Sequence, residues 1–205
     1  PDELGFTSCG TESANTALRA AARKNRHLGR HIVSTAVEHD AVLNTLKALG
    51  QEGFSVTLVE PERDGSVMLE KVCGALRPDT ILLSIMAVNN ETGAVLPAAQ
   101  AAATLKKQNS AALVHVDGVQ ALCKQDLPLD NIDMASFSAH KIGGMKGCGA
   151  LYIRRGLSIT PLLFGGGQEN GVRSGTEGMP QIAAFGAACE VRMASRAADT
   201  AHMRA

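Results

Sequence analysis

At 205 residues, with 45% hydrophobic and 20% charged side chains, the chain is long enough to bury a sizeable core and has ordinary globular composition. Lys plus Arg and Asp plus Glu both number 20, and there is one Tyr and no Trp, so neither a polyanion-binding face nor a stacking platform for nucleic acid is expected. The five cysteines (Cys9, Cys73, Cys123, Cys148, Cys189) form no CxxC pair, so no metal knuckle or disulfide framework is expected, and a reducing, cytoplasmic setting is.

The chain opens on "PDELGFTSCGTES" without a start methionine, which predicts a fragment. A strand over 4–6 runs into a helix start at "TSCGTES" (7–13). "RHIVSTA" (30–36) predicts the next strand, and "HDAVLNTLKALG" (39–50) a helix, with Val42, Leu43, Leu46 and Leu49 at helical spacing and Gly50 as its stop. A strand over 54–61 closes at Pro61, and an amphipathic helix over 66–78 ends before Pro78. "TILLSIM" (80–86) is apolar on both faces, like a central parallel strand, and the apolar run through 88 is too short to span a bilayer. A helix over 97–109 starts at Pro97, and strands follow over 111–117, 134–139 and 149–155. The alanine-rich stretch 179–205 predicts one long helix.

This alternation predicts an α/β fold, a mainly parallel sheet with helices on both faces. The expected organisation is a ligand-binding domain over 1–178 and a helix over 179–205 leading toward a further domain. In such sheets ligands lie beyond the carboxyl ends of the strands. Here those ends deliver "TSCGTES", "EHD", "NNETG", "DGVQ" and "SAHK", so one rim concentrates polar and ionisable groups.

In "TSCGTES" a glycine before Thr11 leaves unpaired N–H groups at a helix start, either an anion cradle or a capping box built on Ser8 or Thr11. Asp117 ends an apolar strand, where it either caps the Gly118 turn or holds a cation such as a protonated ring nitrogen; Gln120 projects from the same turn. His39 can serve as acid, base or flat surface against a ring, or simply start its helix. His115, inside "LVHVD", reads as a satisfied core residue. Lys141, in "SFSAHKIGGMKGCGALYI" (136–153), is either a surface lysine in a loop or an amine enclosed by glycines that would let backbone approach a bulky ligand, and an enclosed amine suits a Schiff base with an aldehyde. A phosphate cradle, a carboxylate for a ring nitrogen, a flat imidazole and an amine together match the needs of pyridoxal phosphate.

The blocks "FTSCGTESANTAL", "VEHDAVLNTL", "NNETGAVLP", "HVDGVQALCK", "SFSAHKIGGMKGCGALYIRR" and "GGGQENGVRSGTE" resemble, in order, those of the cysteine desulfurases and selenocysteine lyases, class V members of the aminotransferase-like pyridoxal phosphate enzymes. The resemblance implies the large domain of the aspartate aminotransferase type of fold. It implies that Lys141 bonds the cofactor and that Asp117 pairs with its ring nitrogen. His39 would stack on the ring and move protons, and Gln120 and Asn90 would lie near the ring oxygen. Gly10, Thr11, Ser138 and His140 would hold the phosphate, and Thr176 would reach the phosphate of a partner subunit in a homodimer. The implied reaction removes sulfur or selenium from L-cysteine or L-selenocysteine, leaving alanine, and serves a sulfur-acceptor protein. The alternatives are another class V lyase or aminotransferase, or a partner-binding scaffold. None of the five cysteines matches the position of the family's sulfur-accepting nucleophile, so this chain is expected to bind cofactor with little or no turnover. After Lys141 the family's bulky residue, Gly and Pro are replaced by Gly143, Gly144 and Met145.

Overall fold

The computed structural model describes residues 2–204, so Pro1 and Ala205, the outer ends of the two expected segments, lie outside the described residues. Seven strands form one sheet in the order β1-β7-β6-β5-β4-β2-β3: β1 (Leu4–Thr7), β2 (His31–Thr35), β3 (Ser55–Val59), β4 (Thr80–Met86), β5 (Leu113–Asp117), β6 (Met134–Ser138) and β7 (Gly149–Ile153). β3, β2, β4, β5 and β6 pair in parallel. β7 is antiparallel to both β6 and β1, so β1 runs with the parallel set and β7 alone is reversed. The carboxyl ends of β1, β2, β4, β5 and β6 therefore share one rim, and the reversed β7 starts from that rim at Gly149.

Strand alternation sorts the apolar side chains onto two faces. Ile32, Leu82 and Leu113 pack with Leu18 of α1 (Gly10–Asn25) and Leu46 of α2 (Asp40–Gln51). Their sequence neighbours Val33, Leu83 and Val114 turn the other way, against Val72 of α3 (Leu69–Ala75) and Leu105 of α4 (Ala98–Gln108). α3 is shorter than the span 66–78 predicts: Met68 and Leu76 are both extended, and Pro78 disfavours helix at Arg77. α5 (Met179–Arg204) fills the long-helix expectation through residue 204. Its first half docks on the domain: Phe185 is buried with Ile142, Cys148 and Ala150, and Arg192 Nε donates to the Ile142 carbonyl at 3.1 Å.

One buried charge ties the layers together. Asp133 is fully buried, accepts the Val114 N–H at 2.7 Å, and pairs with Lys106 of α4 and with Arg154 just beyond β7, both at 2.6 Å.

Candidate active site

The loops after the parallel strands enclose a cleft of about 180 Å³. It is lined by Gly10, Thr11, His39, Asn90, Asp117, Gln120, Ser138, His140 and Lys141, together with Cys9, Ala41, Met86, Val88 and Val119. All the residues singled out from the sequence converge here except Thr176, which lies exposed in a separate cleft with Ser8, Arg173 and Glu177.

The helix start at the cleft is left without a side-chain cap. The residue in the N-cap position is Cys9, with extended backbone and no capping hydrogen bond, so neither Ser8 nor Thr11 makes the expected cap. Glu12 reaches back to the Ser8 N–H at 2.8 Å and is anchored by Arg173 Nε at 2.9 Å. The first N–H groups of α1 stay available at the cleft wall, where helix polarity favours an anion. Gly10 keeps that wall open: a Cβ there would meet Val119 Cγ2 at 2.9 Å and Ser138 Cβ at 3.4 Å.

Asp117 caps its turn, the first of the two roles its sequence position allows, and keeps an oxygen for the second. Its Oδ1 accepts the Val119 N–H at 3.0 Å, capping the turn, and among the described residues the carboxylate makes no other hydrogen bond. Burial raises its pKa, against the opposing pull of the Val119 N–H and of His39. A buried carboxylate with an oxygen to spare is what a cationic ring nitrogen would satisfy.

His39 is the N-cap of α2, its Nδ1 accepting the Ala41 N–H at 3.0 Å. That bond fixes the neutral tautomer with the proton on Nε2, the nitrogen left over for other partners. Ser138 Oγ and His140 Nδ1 lie 2.9 Å apart, and His140 is pushed down by burial and by the charges of Lys141 and Lys146. Gln120 accepts from Lys124 Nζ at 3.0 Å through Oε1, which turns its amide NH2 outward as a donor. Burial, then the charges of Lys141 and Arg192, lower the pKa of Lys124.

Lys141 sits in a single 3-10 turn, Ala139–Ile142, directly after β6 and closed by Gly143 at φ +88°. β6 neighbours β5, with Ser136 opposite Asp117, so the amine and the carboxylate come from adjacent strand tips into one cleft. Lys141 is more open than the sequence suggests: it is exposed on the cleft rim. The glycines around it serve the backbone itself. Gly143 and Gly147 hold positive φ, while a Cβ on Gly144 would stand 3.0 Å from the Ala139 carbonyl oxygen and one on Gly149 2.5 Å from the Cys9 carbonyl carbon.

His115 is the satisfied core residue expected, bridging Ser84 Oγ at 2.9 Å and Ser136 Oγ at 2.8 Å. Sequence reasoning missed two buried residues next in sequence to the cleft lining, Asn89 before Asn90 and Glu38 before His39. Asn89 accepts from the Glu91 and Thr92 N–H groups and donates to the Val37 carbonyl, and Glu38 is buried behind His39. Both stand in polar stretches, and only the neighbouring placement of β2 and β4 encloses them.

The aminotransferase class-V family model matches residues 1–204. Among curated relatives, the cysteine desulfurase IscS of Anaeromyxobacter sp. (strain K) is 44% identical over 209 residues, covering 99% of this chain and 51% of the relative. Among solved structures, a NifS-like protein matches with a TM-score of 0.94 at 44% identity, over 99% of this chain and 56% of that one. SspA, solved in complex with cysteine, matches with a TM-score of 0.87 at 39% identity, over 93% and 55%. The chain thus spans about half the length of the curated relatives it matches.

Proposed function

The chain belongs to the class V aminotransferase family of pyridoxal-phosphate-dependent enzymes, and we propose that it forms the cofactor-binding part of a cysteine desulfurase acting on L-cysteine or L-selenocysteine. The observation that carries this reading is the convergence of an uncapped helix start, a buried carboxylate with an unused oxygen, and a lysine amine on one cleft. Those groups fit pyridoxal phosphate: an anion site, a partner for a ring cation, and a nucleophile for an aldehyde.

Each residue then has a task. The N–H groups of Gly10 and Thr11, the Thr11 hydroxyl, Ser138 and His140 hold the phosphate. Asp117 would favour a protonated ring nitrogen, and the Lys141 amine would be the group to hold the aldehyde. Gln120, donating through its amide, and Asn90 orient the ring oxygen. His39 would cover the ring and, through Nε2, could carry protons to and from the substrate. Bound there, the cofactor supplies an electron sink for charge developing at the amino acid's Cα. In the net reaction the Cβ–S bond breaks, sulfur passes to a thiolate, and Cβ takes up a proton to leave alanine.

No cysteine of this chain is assigned as that sulfur acceptor. Cys9 is the N-cap of α1 at the cleft edge and is read as packing. The nucleophile, the further domain toward which α5 leads, and an acceptor protein serving iron–sulfur cluster assembly belong to the same proposal. So does a homodimer in which Thr176 reaches the partner's phosphate site, and a reducing, cytoplasmic setting suits the five free thiols. Among the described residues no helix is long and apolar enough to cross a membrane.

Purified protein mixed with pyridoxal phosphate is expected to turn yellow and to lose the band on borohydride treatment, with the added mass on the Lys141 peptide. Lys141→Ala abolishes both signals. A protein that stays colourless, or mass that falls on another lysine, removes this reading and favours a partner-binding scaffold.

A further inference from the structure

Glu38 occupies a polar stretch, "VEHDA", yet is only 5% exposed. Its Oε1 accepts two hydrogen bonds, from Thr35 Oγ1 at 2.7 Å and from the Met86 N–H at 2.8 Å. Thr35 closes β2 and Met86 closes β4, while the β2–β4 ladder runs only from His31 to Val33. The carboxyl thus joins two strand tips just where their backbones stop pairing. Met86 lines the cleft, and the residue after Glu38 is His39. A second tie, Asn89 Nδ2 to the Val37 carbonyl at 2.9 Å, holds the same turn independently.

We propose that Glu38 is the positioning residue for the imidazole of His39: by clamping the tip of β2 to the tip of β4, its carboxyl sets the height and tilt of that ring over the cleft floor. The inference rests on the cofactor reading above, because the ring matters only if something lies beneath it. Several features argue for this over simple packing. A buried carboxyl is expensive to keep, and an apolar side chain would fill the space at lower cost. The clamp engages the backbone of a cleft-lining residue, and its other oxygen, Oε2, is buried with no partner among the described residues. Burial, with a smaller push from the nearby Asp117 charge, raises the Glu38 pKa to about 8 against the opposing hydrogen bonds from Thr35 and Met86. At neutral pH the clamp is therefore a neutral acid. Glutamine reproduces that neutral acid closely, its carbonyl accepting the same two hydrogen bonds.

The test is a double-mutant cycle read as affinity for pyridoxal phosphate, by titration of apo-protein into the cofactor band, on Glu38→Ala, His39→Ala and the double variant. Glu38→Ala is expected to weaken binding about tenfold and to shift the band in the same direction as His39→Ala. In the His39→Ala background it should add no more than about twofold, because the ring it positions is gone. Glu38→Gln should recover affinity to within about threefold at pH 7. Losses that multiply across the cycle, or a folded Glu38→Ala protein that binds as tightly as wild type, overturn the proposal. If Glu38→Ala fails to fold, the glutamine variant decides: a fall as large as that of His39→Ala overturns it equally. Wild-type protein that never colours removes the cofactor reading and this inference with it, whereas coloured wild type with multiplying losses removes this inference alone.

Discussion

Asp117 commits one carboxylate oxygen to the Val119 N–H and leaves the other without a partner among the described residues, and burial pushes its pKa up. Asparagine would keep the turn cap through its carbonyl while removing the charge. Asp117→Asn is therefore expected to fold as well as wild type, with a thermal midpoint unchanged or higher, because the buried charge is gone. Its affinity for pyridoxal phosphate should fall by about tenfold or more, and the activity of the complete enzyme by at least about a hundredfold, since a ring cation would lose its counter-charge. Unchanged affinity, by cofactor titration, would assign Asp117 to the turn alone. At this scale the sequence is most readable where a residue type is costly in its predicted place, as with a carboxylate ending the apolar strand "LVHV" or a lysine at a strand tip. Glu38 hides because nothing in "EHD" says that β4 will cover it, and the sequence overstates the enclosure of Lys141 because flanking glycines say nothing about depth.

Among the elements, the strands and long helices follow their apolar periodicity, and the parallel rim then follows from topology, since strand order fixes which loops meet. What periodicity does not give is where backbone touches backbone. The glycines after Lys141 look like clearance for a ligand, yet Gly149 is squeezed between β1 and β6, opposite both Thr7 and Ser138. A methyl on Gly149 would stand 2.5 Å from the Cys9 carbonyl carbon and 2.8 Å from Thr7 Oγ1, whereas Gly147, at φ +85°, has nothing within 4 Å. Gly149→Ala must displace the end of β1 and the start of α1, and is expected to cost about 3 kcal/mol or more in denaturant unfolding and to weaken phosphate binding at the α1 start. Gly147→Ala meets only backbone strain, about 1 kcal/mol, with the cleft intact. Equal costs for the two variants would mean that β1 yields easily and that the close approach does not hold the cradle in place.

For the molecule as a whole, two buried titratable groups on the central strands and their turns oppose each other in pH. His115, cross-linked to β4 and β6 by serine hydroxyls, has its pKa pushed by burial from its ordinary 6.5 down to about 3. As pH falls from 6.5 toward 3 the unfolded chain takes up a proton that the folded one refuses, so stability present above pH 6.5 is lost on acidification. Glu38 works the other way: with its pKa moved from an ordinary 4.5 to about 8, the unfolded chain gives up a proton that the folded one keeps, so stability present below pH 4.5 is lost as pH rises toward 8. Where the windows overlap the two losses oppose each other, so the combined contribution of these two groups is greatest between pH 4.5 and 6.5, on the acid side of neutrality. Above 6.5 the His115 contribution is complete and the Glu38 loss continues, with a slope approaching about 1.4 kcal/mol per pH unit. Any loss from Asp117, whose pKa burial also raises, runs in the same direction. Thermal midpoints across this range should fall toward pH 8 in wild type and fall less steeply in Glu38→Gln, which lacks the larger of these losses but keeps that of Asp117. Parallel curves for the two proteins would mean that the carboxyl at 38 is ionised in the folded state across this range.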